Sequence, residues 1–339
     1  MNPQNTFHKL FAPTVLPYRI NTFEVDEREL RQYLRDTFDP ELVNEGILGH
    51  VINSEAGEIF VLNRAQRRRT VEIALEESNG RYLVFAGTTG TSTQEAVTTA
   101  QDAIAAGADG VFVLPPHGMI DVSMTWDPVA YPEVIVNYVR AIAEAIDGAP
   151  IIMHPTGPRS PQYGIGLPVN VVEQICTAVE SIVGWKMTYN YEGYTTVAEA
   201  LRSMDRDIAV LGASAAKFHE NLAAGLFDGM VTGSLNYSME AMVQHTRAWQ
   251  ADDATTARKI WNDGLVQLQR FVYSDYSRLH PRYKLAVWLR GKISNPLMSP
   301  PVTFPRRKEV EQLHSLLSNI GVHVRTKDEV DAYLTANGI

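Results

Sequence analysis

Short apolar runs alternate with helix-periodic segments from about residue 10 to about residue 250. Eight runs have the length and two-sided apolarity of buried strands: Phe11 to Val15, Ile47 to Ile52, Tyr82 to Ala86, Gly110 to Leu114, Ile151 to His154, Ile182 to Lys186, Ile208 to Gly212 and Gly229 to Thr232. Helical patterns follow near 27–37, 64–78, 93–106, 131–147, 169–179, 194–204, 214–224 and 237–250. Strands apolar on both faces, each followed by a helix, read as parallel strands covered by helices, and eight such units predict an α/β fold, a closed (β/α)8 TIM barrel. An open doubly wound sheet competes, but it normally has fewer strands and a Gly-rich phosphate turn after the first, and no such turn follows Phe11 to Val15. Beyond residue 250 only helical periodicity remains, in Thr255 to Tyr273, Tyr283 to Leu289, Arg307 to Leu317 and Lys327 to Ala336. Pro296, Pro300, Pro301 and Pro305 mark 292–305 as an extended connection. The expected organisation is a barrel over 1–250 and a C-terminal helical appendage over 251–339 packed on it.

Composition narrows the functional classes. With 45% hydrophobic and 20% charged residues and a mean hydropathy of −0.14, the chain is neither disordered nor collagen-like. A net charge of −9 and a pI near 5.5 argue against a nucleic-acid partner. The cluster Arg64, Arg67, Arg68 and Arg69 reads as the solvated face of a helix whose apolar side is Val71, Ile73, Ala74 and Leu75. The only cysteine, Cys176, excludes an intrachain disulfide and a zinc site of paired thiolates, and it falls on an amphipathic run where a buried, inert thiol in a reducing cytoplasm is expected. No apolar run approaches the ~20 residues of a membrane span, and MNPQNTFHKL lacks the layout of a signal peptide, so no membrane partner is expected. The histidines are singletons without metal-ligand spacing, and Gly87-Thr88-Thr89-Gly90 lacks the lysine of a nucleotide loop; neither a metal nor another cofactor is expected.

Barrel chemistry sits at the C-terminal ends of the strands. Between Lys9 and Lys259 the chain holds only Lys186 and Lys217. Lys217 lies in a helical run and reads as solvated, whereas Lys186 closes Ile182-Val183-Gly184-Trp185 at the mouth of the sixth strand. Position alone leaves a structural ion pair and a nucleophilic amine both open. As a nucleophile it needs its pKa depressed by roughly 2 to 4 units, and Trp185, Ile152 and Val210 are the expected apolar neighbours.

Four segments, in order, carry a resemblance: Ser54-Glu55-Ala56-Gly57-Glu58 with Leu62; Ala86-Gly87-Thr88 with Ser92, Thr93, Glu95 and Ala96; Gly107-Ala108-Asp109-Gly110 running into Val113 and Pro115; and Ile182-Val183-Gly184-Trp185-Lys186. They resemble the signatures of the dihydrodipicolinate synthase and N-acetylneuraminate lyase family of Schiff-base barrels over about residues 10 to 240. The resemblance implies that Lys186 forms an imine with a 2-oxo acid, that Thr232 with Gly233 and Ser234 lines a small-residue pocket wall, and that the chain is a homo-oligomer, a tetramer or dimer.

Three departures bear on the chemistry. Where the family has the tyrosine that relays protons to the substrate's C4 oxygen, this chain has His154, followed by Pro155, Thr156, Gly157, Pro158 and Arg159. An imidazole can move protons near neutral pH more readily than a phenol. His117 stands where the family carries a tyrosine that crosses to a neighbouring subunit. In the first signature, Ser54 and Ala56 flank Glu55, which replaces a threonine that helps hold the substrate carboxylate. Carboxylate against carboxylate is unfavourable in a low dielectric, so either the substrate's acid group lies elsewhere, near Arg159, or Glu55 is protonated or turned away. Tyr189 or Tyr191 could supply the missing phenol, with packing as the alternative role for either. The expected activity is an aldolase-type lyase acting on a 2-oxo acid. The alternatives are a dehydratase of a 2-keto-3-deoxy sugar acid through the same imine, and a barrel that binds a small ligand without catalysis.

Overall fold

The computed structural model describes residues 6–37 and 48–338. Eight of its strands form a closed parallel barrel: β1 (Leu10–Pro13), β2 (Leu48–Ile52), β3 (Leu83–Thr88), β4 (Gly110–Val113), β5 (Ile151–Met153), β8 (Ile182–Met187), β9 (Ala209–Gly212) and β10 (Gly229–Val231). The order around the barrel is β1-β10-β9-β8-β5-β4-β3-β2. The eight expected strands are the eight observed, with ends differing by a residue or two; Ile47 lies outside the described residues. Period-two alternation sends Phe11, Val51, Phe85, Phe112, Leu211 and Val231 to the barrel axis, while Leu10, Ile52, Val84, Val111, Trp185 and Val210 meet the surrounding helices.

Local chemistry sets the helix ends. Asn63 caps Arg64–Ser78 through a reciprocal bond with Gln66, and Ser92 caps Thr93–Ala106, which ends at Gly107 in the left-handed region. Arg64, Arg67, Arg68 and Arg69 pair with Asp102, Glu95, Glu72 and Glu27 respectively, so the basic cluster is an ion-paired helix face. The helix expected from 194 begins at Tyr191, because Asn190 accepts the Gly193 N–H. The one expected over 214–224 is a 3₁₀ turn, Ala215–Lys217, followed by Phe218–Ala223. An antiparallel hairpin, β6 (Thr156–Ser160) with β7 (Gly164–Gly166), follows β5 where only a connection is expected; Gly164 turns it at φ +65°, and Gly166 lies so close to the Tyr189 ring that a side chain there would collide with it. Cys176 is fully buried, and burial pushes its thiol up to about 12. No helix among the described residues is long and apolar enough to cross a membrane.

After residue 253 come helices Ala254–Ile260, Val266–Tyr273, Leu279–Leu289, Arg307–Asn319 and Lys327–Ala336, with a π turn at Trp261–Leu265. They pack on the barrel through apolar contacts with Val15, Tyr33, Ala56 and Tyr237, and a buried ion pair ties them to the loop after β2. Lys284, 1% exposed, sets its Nζ 2.6 Å from Glu58 Oε1, donates to the Leu297 carbonyl at 2.7 Å and lies 4.1 Å above the Tyr18 ring. Glu58 Oε2 accepts the Ser299 N–H at 2.8 Å. The pair therefore ties the loop after β2 to the helix Leu279–Leu289 and to the extended stretch 292–305. Removing one partner strands a buried charge, so Lys284→Ala should cost about 3–5 kcal/mol by chemical denaturation, and Lys284→Met with Glu58→Gln should recover much of that loss. A single-variant cost of no more than about 1 kcal/mol would show that water reaches the pair.

Candidate active site

Lys186 owes its direction to the pleat of β8. Its neighbours Trp185 and Met187 pack outward among the helices, so Lys186 faces the axis. An irregularity in the β5 to β8 pairing, where Ile151 opposes Ile182 but Ile152 opposes Gly184, allows Val183 to face inward as well. The expected shell is thereby corrected. Trp185 and Val210 point away from the amine by strand alternation, and the apolar surface that Lys186 meets is Phe112, whose ring centroid lies 5.4 Å from Nζ. Burial lowers the Lys186 pKa from its ordinary value, and the Glu55 charge partly opposes that shift.

The loop after β2 delivers Glu55. Asn53 takes a left-handed conformation (φ 57°), donates to the Arg67 carbonyl at 2.7 Å and accepts from Thr70 Oγ1 at 2.7 Å. Its own carbonyl packs on Gly87, where a Cβ would come within 1.7 Å, which is why β3 carries glycine there. Held this way, Glu55 is not turned from the barrel: its Oε1 lies 2.6 Å from His154 Nδ1, at an angle too bent for a good hydrogen bond but within ion-pair reach. His154 follows β5, is 6% exposed, and stacks on Phe112 with centroids 5.5 Å apart and planes inclined at 25°. Burial alone would raise the Glu55 pKa, but the charges of His154, Lys186 and His280 outweigh it and hold the carboxyl well below its usual range. Burial, helped by Lys186, keeps the His154 pKa below the ordinary imidazole value against the pull of Glu55.

Lys186, Glu55 and His154 line one cavity of about 180 Å³ at the barrel mouth, together with Ala56 and Thr232. Its far wall comes from residues that sequence reasoning missed: Tyr273, Tyr276, His280 and Tyr283. Their spacing of three, four and three residues is the one signal that could have found them. The Tyr283 hydroxyl donates to Tyr273 Oη at 2.7 Å, and the Tyr273 and Thr232 hydroxyls lie 2.9 Å apart. Gly233 admits the Tyr283 ring, since a Cβ would fall 2.1 Å from it. Burial lowers His280 to about 4, with Glu55 opposing and with Lys186 and His154 adding to the shift.

The other expected residues lie outside the cavity lining. Ser54 is fully buried beneath the loop. Arg159 is exposed on β6, near enough to Tyr276 to act on its charge. His117 hydrogen-bonds Thr89 Oγ1 at 3.3 Å and meets Phe60 edge-on at 4.9 Å. Tyr189 is buried among the outer helices and accepts from Trp185 Nε1 at 3.1 Å, and Tyr191 is exposed, so neither supplies a phenol to the cavity. Among the described residues no three His, Cys, Asp or Glu side chains form a metal-ligand group. What converges at the cavity is an amine with a depressed pKa, an imidazole paired to a carboxylate, and a chain of hydroxyls.

The dihydrodipicolinate synthetase family model matches residues 6–320. The "Probable 2-dehydro-3-deoxy-D-pentonate aldolase YjhH" of Escherichia coli (strain K12) is 28% identical over 311 residues, 91% of this chain and 97% of that one. A 4-hydroxy-tetrahydrodipicolinate synthase of Bradyrhizobium diazoefficiens is 28% identical over 323 residues, 94% of this chain and all of its own length. Among solved structures, YagE of E. coli K12 in complex with pyruvate superposes with a TM-score of 0.77 at 19% identity over 93% of this chain and 99% of its own. Dihydrodipicolinate synthase from Aquifex aeolicus gives 0.77 at 21% identity over 94% and 100%. With the family model covering all but the ends of the chain, the protein belongs to the dihydrodipicolinate synthetase family.

Proposed function

We propose that the protein is a lyase that cleaves or forms a carbon–carbon bond in a 2-oxo acid held as an imine on Lys186. The observation that carries this reading is the placement of Lys186, the one lysine lining the cavity, facing the barrel axis with its pKa lowered by burial. In the proposed sequence, unprotonated Nζ adds to C2 of the substrate and water departs, leaving an iminium. His154 takes the C4 hydroxyl proton, the C3–C4 bond breaks with its electron pair moving into the enamine, and an aldehyde leaves. The enamine regains a proton at C3, and water releases the shortened 2-oxo acid and the free lysine. The linked hydroxyls of Thr232, Tyr273 and Tyr283 offer donors and acceptors to a hydroxylated substrate chain. The aldolase assignment of the E. coli relative and the pyruvate bound in YagE support the substrate class.

A dehydratase that loses a C3 proton and a C4 hydroxide from the same imine is the second reading. The imidazole at 154 favours it, because it can hand a proton to the departing hydroxide. The inward amine argues against a barrel that only binds. Exposed Phe60, Met119, Met124 and Tyr131 support self-association as a dimer or tetramer, and the single buried thiol of Cys176 agrees with a cytoplasmic setting.

Borohydride reduction with pyruvate and larger 2-oxo acids, followed by mass spectrometry, should place the adduct on the Lys186 peptide, and Lys186→Ala should lose both adduct and turnover while still folding. An unmodified Lys186 with every 2-oxo acid tested contradicts the reading. Because burial lowers the Lys186 pKa, adduct yield should rise with pH to a plateau reached at lower pH than an ordinary lysine would require. His154→Phe should still form the adduct but lower kcat by about 10²-fold or more, the scale of general acid–base catalysis. Wild-type turnover in that variant would move the proton relay to another group.

A further inference from the structure

Glu55 occupies a position where a donor to the substrate's carboxylate is expected, yet it brings a charge, and that charge is directed elsewhere. Its Oε1 is 2.6 Å from His154 Nδ1, and that ring nitrogen is shut away from solvent. The ring cannot swing freely, since Phe112 stacks against its face at 5.5 Å. With Nδ1 turned to the carboxylate, Nε2 is the nitrogen left to the cavity that His154 lines. A carboxylate this close to one imidazole nitrogen stabilises the imidazolium that forms when the other nitrogen takes a proton.

We infer that Glu55 is the positioning residue of a carboxylate–imidazole pair in which His154 Nε2 moves the substrate proton, the two together replacing the family's phenol-based relay. The inference rests on the Schiff-base reading above. It also accounts for two departures at once, since a hydroxyl at 55 and a phenol at 154 are exchanged here for two groups that work only as a pair. The groups facing His154 are Glu55 from the loop after β2, Lys186 from β8, His280 from the helix Leu279–Leu289, and the Phe112 ring from β4. Of the three charged or titratable ones, only Glu55 favours the imidazolium; Lys186 opposes it.

Pyruvate tests the pair without knowledge of the natural substrate. Lys186 Nζ adds to C2 and expels water, and His154 Nε2 removes one C3 proton, whose C–H electron pair becomes the enamine double bond. In D2O the imidazole exchanges that proton for deuterium and returns deuterium to C3, so the methyl signal of pyruvate decays in the proton NMR spectrum. Glu55→Gln should keep the borohydride-trapped adduct at saturating pyruvate within about twofold of wild type while methyl exchange falls about 10²-fold, and Glu55→Asp should restore part of the exchange. The acid limb of the exchange profile should move to lower pH in Glu55→Gln, because the Glu55 charge holds up the pKa of both His154 and Lys186 and its loss lets both fall. Exchange at the wild-type rate, or exchange and adduct falling in parallel, would overturn the pairing. No adduct in the wild type would instead overturn the Schiff-base reading and the pair with it. If Glu55→Gln does not fold, Glu55→Asp decides by the same separation: intact adduct with slowed exchange supports the pair, and equal loss of both overturns it.

Discussion

A buried carboxylate makes the barrel mouth possible. Lys186, His154 and His280 converge on one small cavity, and each is disfavoured in its charged form by burial. With no anion among them, protonating any one would leave an uncompensated charge in a poorly solvated space, and at about 4 Å and an effective dielectric near 20 a like-charged neighbour adds about 4 kcal/mol. Glu55 supplies the anion. It holds its proton loosely enough to remain charged, because the three cationic or potentially cationic groups around it outweigh the cost of its burial. An amine and an imidazole can then share a site while each sits below its ordinary pKa.

That carboxylate is only as well placed as its loop. Asn53, in a left-handed conformation, is bonded to the helix Arg64–Ser78 through Arg67 and Thr70 and packs its carbonyl on Gly87. Three residues beyond Glu55, Glu58 is again left-handed and is locked to Lys284. Lys284 sits on the helix that also brings His280 and Tyr283 to the cavity. One buried ion pair thus holds two cavity walls in register, from parts of the chain more than two hundred residues apart. Stability and chemistry share this contact, so the C-terminal helices are part of the site rather than a cover for it.

Much of this was legible in the sequence, for identifiable reasons. The strands were visible because a parallel barrel buries both faces of each one, and Lys186 stood out because it ends such a run within a motif that resembles the family's, where position alone left a structural ion pair open. The inward turn of Val183 was not, since a one-residue irregularity between β5 and β8 breaks the alternation along β8. The hairpin after His154 was hidden by prolines and glycines that read as a plain connection, and its evidence is tertiary, the contact of Gly166 with Tyr189. Tyr273, Tyr276, His280 and Tyr283 escaped because a helical stripe of aromatics reads equally well as core, and only the folded chain shows that it faces a cavity. Glu55 was recognised as anomalous, but its partner could not be: the 2.6 Å approach to His154 joins loops from two non-adjacent strands.

The charge state of Glu55 is the point on which the account turns. Carbon-13 NMR titration of its side-chain carboxyl, assigned by comparison with Glu55→Gln, reads that state directly. The account predicts a resonance that stays in its ionised position from neutral pH down through the usual carboxylate range of about 4 to 5, moving only in more acid solution. A carboxyl that is already protonated near neutral pH would contradict it.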